Sequence, residues 1–164
     1  MRQFADGAAA ALVCGQGPGL VLGDPLSLSL PDSADLITWT VGDTGFAMHL
    51  AGAVPGRLAA ALHGGALADL PGRVQPQAWA VHPGGRSILD AVERGLDLAP
   101  GALDASRGVL SRYGNMSSAS VIFVLRDLMA QRPASGLALA FGPGLAMEGL
   151  HFGWTGGEGG GDAG

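Results

Sequence analysis

Three short segments of the 164-residue sequence carry residue types that can do chemistry: Val81-His82-Pro83-Gly84-Gly85, Tyr113-Gly114-Asn115-Met116-Ser117-Ser118 and Phe141-Gly142-Pro143-Gly144. His82 ends an apolar run and precedes Pro-Gly-Gly and a helical pattern, so its imidazole is aimed at a crevice beside backbone N–H groups. Asn115 stands between a glycine and the small residues that open another helix, from where its amide can point the same way. An imidazole and a carboxamide meeting at one point supply two N–H donors, which is what an enolate or a tetrahedral oxyanion needs. Each segment also has an ordinary reading: His82 as a satisfied core or surface histidine, Asn115 as a helix N-cap, and Phe-Gly-Pro-Gly as a turn.

The surrounding periodicity indicates which elements must hold these segments. An apolar run at residues 8–13 reads as a buried strand, broken by the glycines of 15–19. Leu26, Leu28 and Leu30 alternate with serines, the period of a half-buried strand, and 35–41 and 45–50 continue the meander. Pro55 then opens a helix through Leu58, Ala61 and Leu62, followed by a strand at 78–81. Ile88, Leu89, Val92 and Leu96 share one helical face, as do Val121, Ile122, Leu125, Leu128 and Met129. A last apolar strand, 136–141, stops at Gly142-Pro143-Gly144. Strands alternating with helices predict a layered α/β domain, whose ligands gather near strand ends. His49, His63 and His151 lack any comparable setting.

Composition narrows the function classes. Charged residues make up 14% of the chain and hydrophobic ones 48%, against roughly 25% charged in soluble domains, so either a large core or a partner must cover much of it. A net charge of −5 without a basic cluster argues against nucleic acid. Without an apolar stretch near 20 residues or a leader pattern, no membrane role and a cytoplasmic location are expected. The single cysteine, Cys14, excludes an internal disulfide, and four histidines without paired carboxylates predict no metal site. Behind its apolar run, Cys14 is expected to be a buried, structural thiol.

Taken together, Trp79-Ala80-Val81-His82-Pro83-Gly84-Gly85, Ile88-Leu89-Asp90, Ser106-Arg107, Tyr113-Gly114-Asn115-Met116-Ser117-Ser118-Ala119 and Phe141-Gly142-Pro143-Gly144-Leu145 with Glu148 resemble, in order and spacing, the type III (chalcone/stilbene synthase-like) polyketide synthases. Phe4-Ala5-Asp6-Gly7-Ala8-Ala9-Ala10 and the stretch from Gly45-Phe46 to Val54-Pro55-Gly56 resemble the same family. Beta-ketoacyl-carrier-protein synthase III shares the Gly-Asn helix start, but His-Pro-Gly-Gly favours the polyketide enzymes.

The resemblance implies a thiolase-like fold, here its carboxy-terminal half only, a layered α/β unit with a mixed sheet. It divides the chain into the end of the amino-terminal half (1–24), a chalcone/stilbene synthase-like domain (25–152) and a disordered Gly-rich tail (153–164). It implies an acyltransferase of polyketide biosynthesis that condenses a starter acyl-CoA with malonyl-CoA, using coenzyme A thioesters as substrates and no cofactor, and acting as a homodimer. His82 and Asn115 would be catalytic, Gly84 and Gly85 would run beside coenzyme A, and Trp39, Met48, Ser117, Phe141, Gly142, Pro143 and Gly144 would shape the cyclisation cavity. Ala140 stands where the plant motif has glycine. The family's nucleophilic Cys belongs to a segment upstream of the matched region, so the isolated chain is expected to be inactive. Its partner would be the missing amino-terminal half; the alternatives are a silent chain that dimerises with full-length synthases, or a ketoacyl synthase III-like fragment.

Overall fold

The computed structural model describes residues 4–67 and 76–156. Its strands and helices are β1 (Gly19–Ser29), β2 (Ile37–Gly42), β3 (Gly45–Leu50), α1 (Val54–His63), β4 (Ala78–Val81), α2 (Arg86–Gly95), α3 (Asp104–Tyr113), α4 (Ala119–Met129), β5 (Gly136–Gly142) and β6 (Ala146–Thr155), with a 3-10 turn at Pro143–Leu145. A mixed sheet runs in the order β1-β6-β5-β4, with β4 parallel to β5 and the other pairs antiparallel. β2 and β3 form a separate antiparallel hairpin.

The pleat of the mixed sheet sorts its side chains into two layers. Val81, Leu137, Leu139 and Met147 pack with Val54, Leu58 and Leu62 of α1 and Leu89 and Val92 of α2. Ala78, Ala80, Ala138 and Phe152 pack with Val109 of α3 and Val124 and Leu128 of α4. Strands β4 and β5 are therefore buried between two helical layers, and their small residues face α3 and α4. A bulge in β1 between Leu22 and Pro25 adds one residue opposite β6. Because side chains alternate, one extra residue changes the face, and Leu20 joins the α3–α4 cluster whereas Leu26 joins the α1–α2 cluster.

Gly149 shows how closely β5 and β6 are packed. A methyl group there would collide with the Ala138 carbonyl and lie 2.9 Å from Leu139 Cδ2. Gly149→Ala is expected to cost about 1–3 kcal/mol through overpacking, read as a lowered urea midpoint with an unchanged slope.

Several expectations are corrected here. Residues 8–13 form no strand, Leu12 is 93% exposed, and Cys14 is exposed rather than buried, because no described element covers this segment. Gly153, Trp154 and Thr155, assigned to a disordered tail, extend β6 against Gly19, Leu20 and Val21, and Arg132 stacks over Trp154 at 5.3 Å; 157–164 lie outside the described residues. In α4 the buried face is Ala119, Ser120, Val124 and Leu128, so Val121, Ile122, Leu125 and Met129 are only partly covered or exposed. Neither α3 nor β6 was anticipated.

Candidate functional site

β4 ends at Val81, but the ladder continues one step: the His82 N–H donates to the Leu139 carbonyl at 2.7 Å. His82 thus sits at the carboxyl end of the edge strand β4, in register with the small residues that face α3 and α4. The Gly84 N–H then donates back to the His82 carbonyl at 2.9 Å, closing a tight turn around buried Pro83 before Gly85 leads into α2. Burial pushes the His82 imidazole below its usual pKa, because desolvation disfavours the charged ring. The ring is therefore neutral at neutral pH, carrying one N–H and one lone pair.

Asn115 is delivered by the turn between α3 and α4. Gly114 takes φ +77°, a left-handed value that glycine adopts freely, and ends α3. Buried Asn115 donates through Nδ2 to the Gly84 carbonyl at 3.1 Å and accepts at Oδ1 from the Ser117 N–H at 2.9 Å. The two bonds fix which end of the amide is which: a carbonyl faces the NH2 and an N–H faces the oxygen. One of the two Nδ2–H donors is engaged by Gly84. Ser117 holds φ +57°, unusual for a residue with a side chain, and is exposed. The N-cap of α4 is Ser118, not Asn115.

His82 and Asn115 both converge on Gly84. A Cβ on Gly84 would lie 3.8 Å from His82 Nε2, and the same residue's carbonyl receives the Asn115 amide. Two polar side chains 33 positions apart therefore both approach Gly84, at the end of the sheet where the 141–144 loop also emerges from β5. That loop is pinned from outside: Gly144 is left-handed at φ +69°, and the buried Ser33 hydroxyl lies 2.6 Å from both the Gly144 and the Leu30 carbonyls. Trp39 and Met48 are direct cross-strand partners on the hairpin, and Trp39 stacks edge-on with Phe46 at 5.9 Å. Strand β2 packs against the Pro143–Leu145 turn, which links the hairpin to the end of the sheet that holds His82.

Sequence periodicity missed one set of neighbours. Phe4 forms an isolated parallel bridge with Asn115, and the Ala5 N–H donates to the Asn115 carbonyl at 2.9 Å. Pairing across 110 positions leaves no local pattern; the glycine of Asp6-Gly7 is the only sign of close approach.

The arrangement can hold an oxygen that gains negative charge, offering a neutral imidazole and an oriented amide at a partly desolvated strand end. Residues 25–153 match the profile of "Chalcone and stilbene synthases, C-terminal domain". Bisdemethoxycurcumin synthase of Oryza sativa subsp. japonica is 49% identical over 81 residues, which cover 44% of this chain and 20% of that protein. Among solved structures, PKS-I from the brown alga Ectocarpus siliculosus superposes with a TM-score of 0.76 at 29% identity, over 83% of this chain and 40% of that one. The 1,3,6,8-tetrahydroxynaphthalene synthase of Streptomyces coelicolor A3(2), a bacterial type III polyketide synthase, gives a TM-score of 0.75 at 33% identity, over 88% and 44%. The chain thus spans less than half the length of each of these relatives.

Proposed function

Because this chain belongs to the chalcone and stilbene synthases through their C-terminal domain, we propose that it is the half of a type III polyketide synthase that supplies the donors His82 and Asn115, while a thiolate comes from outside residues 1–164. The observation that carries this reading is the meeting of the His82 loop and the Asn115 amide at Gly84.

Malonyl-CoA bound with its thioester oxygen against His82 and Asn115 would lose carbon dioxide, and the electron pair of the broken C–C bond would pass to that oxygen as an enolate. The two N–H groups stabilise the charge as it develops. The enolate carbon would then attack the acyl thioester on the thiolate, forming a C–C bond and expelling the sulfur from the tetrahedral intermediate. Gly84 and Gly85 would run beside coenzyme A. Trp39, Met48, Ser117 and the loop Phe141, Gly142, Pro143 and Gly144 would bound the growing chain.

Cys14 does not fit the nucleophile's role: it lies in an exposed segment outside every described helix and strand. The test is reconstitution. Labelled malonyl-CoA and a starter acyl-CoA are expected to give no polyketide with the chain alone, and to give product once a Cys-bearing amino-terminal half is added. Alkylating Cys14 beforehand should leave the rate unchanged. Product from the chain alone that vanishes on alkylation would refute the assignment of the nucleophile. Failure of a competent Cys-bearing half to gain activity from this chain would make it a silent partner instead.

A further inference from the structure

The earliest described residues are packed on the turn that carries Asn115. Besides the Phe4 bridge and the Ala5 hydrogen bond, Gly7 lies directly over Met116. A Cβ built on Gly7 would fall 2.8 Å from both Cβ and Cγ of Met116 and 2.5 Å from its sulfur. Carbon atoms rest about 3.5–4.0 Å apart, so any other residue at position 7 must displace Met116. The sulfur can swing aside, but Cβ cannot move without its backbone. Met116 is buried among Val109, Val124 and Leu128, and its N–H is fixed on the Ser120 hydroxyl at 2.7 Å. Pushing it therefore strains the turn, and the residue before it is Asn115.

We propose that residues 4–7 are a strap that sets the Asn115 amide, with Gly7 as a positioning residue whose lack of a side chain lets the strap seat on Met116. The strap grips the Asn115 backbone through Ala5 and closes over the adjacent side chain through Gly7. Between them these contacts hold the turn from which Nδ2 reaches the Gly84 carbonyl. Gly7 touches no substrate and acts only through Met116 and Asn115. Its importance for condensation rests on the reading of Asn115 as an oxyanion donor.

The experiment follows the Asn115 side-chain NH2 resonances of the full, 15N-labelled chain, assigned by their loss in Asn115→Ala. Gly7→Ala is expected to shift this pair and to raise its solvent exchange roughly tenfold, the factor that corresponds to about one ordinary hydrogen bond. Adding Met116→Ala to Gly7→Ala makes room for the new methyl and should return the pair towards its original position. Ala5→Pro removes the donor to the Asn115 carbonyl at an exposed position, so it should loosen the same amide even if Gly7→Ala folds poorly. Resonances unmoved in Ala5→Pro, or a Gly7→Ala shift that Met116→Ala does not reverse, would overturn the proposal. The two readings fail separately: a failed strap leaves the amide signals still, whereas a wrong role for Asn115 leaves condensation by Asn115→Ala intact.

Discussion

Asn115→Ala is expected to lower condensation by the reconstituted enzyme about 10²–10³-fold, the usual loss when one preorganised oxyanion donor is removed. The substitution also strips a partner from the Gly84 carbonyl and from the Ser117 N–H, groups that cost about 1–3 kcal/mol each if left buried and unsatisfied. Circular dichroism and the urea midpoint must therefore be followed alongside the rate. Asn115→Asp separates the two effects, since it keeps an oxygen for the Ser117 N–H but brings a carboxylate to the place where the oxyanion would form. It should lose at least as much activity as alanine. His82→Ala should match or exceed this loss, because it removes the second proposed donor. Retention of activity within tenfold in any of the three would contradict the two-donor site.

His82 adds a dependence on pH whose sign is fixed by its burial. Folding lowers the imidazole pKa, so between that value and the ordinary value near 6.5 the unfolded chain binds a proton that the folded chain does not. Stability then falls as pH drops below about 6.5, and continues to fall until the folded pKa is reached. His82→Ala should flatten this part of the stability curve.

How much of this was legible in sequence depended on how local each signal was. Strand β4 was bounded correctly because 78–81 is a short apolar run closed by His-Pro-Gly-Gly, and β3 was bounded correctly at 45–50, whereas β2 runs over 37–42 rather than 35–41. The alternation of β1 was read only from Leu26 onward, since the bulge at 23–24 reverses the face of everything before it. Helix α3 escaped notice because its buried face is Ser106, Val109 and Leu110, too sparse to register as a 3.6-residue period. Strand β6 carries two glycines and no regular alternation; it exists because β1 and β5 pair with it on both sides. The His82 and Asn115 segments stood out by residue type. Bringing both to Gly84 required the two helices that lie between them, α2 and α3, to fold back on the sheet. The burial expected of Cys14 was an inference from apolar neighbours, and an apolar segment is buried only where another element meets it.

The purified chain is expected to self-associate, and the hairpin indicates why. Strand alternation places Ile37, Trp39 and Val41 with Phe46, Met48 and Leu50 on one face. Only Ile37 of these is buried; Trp39 is 48%, Phe46 68% and Val41 75% exposed. Covering an apolar side chain yields about 1.5–3 kcal/mol when complete, so five partly covered ones offer on the order of 5–8 kcal/mol per copy. Association of two copies costs about 4–15 kcal/mol in lost freedom, which consumes much of that gain. The balance favours weak, concentration-dependent oligomers over a tight dimer. Sedimentation at rising concentration should show the average mass increasing, with binding of a hydrophobic dye at the low end. Val41→Lys with Phe46→Lys places two charges on the most exposed part of this face, without touching Trp39 or Met48. Both the association and the dye signal should drop several-fold while the circular dichroism spectrum is kept. A strictly monomeric chain that binds no dye would mean that this face is tolerated bare, and that the low charge content of the sequence does not reflect a surface awaiting a partner.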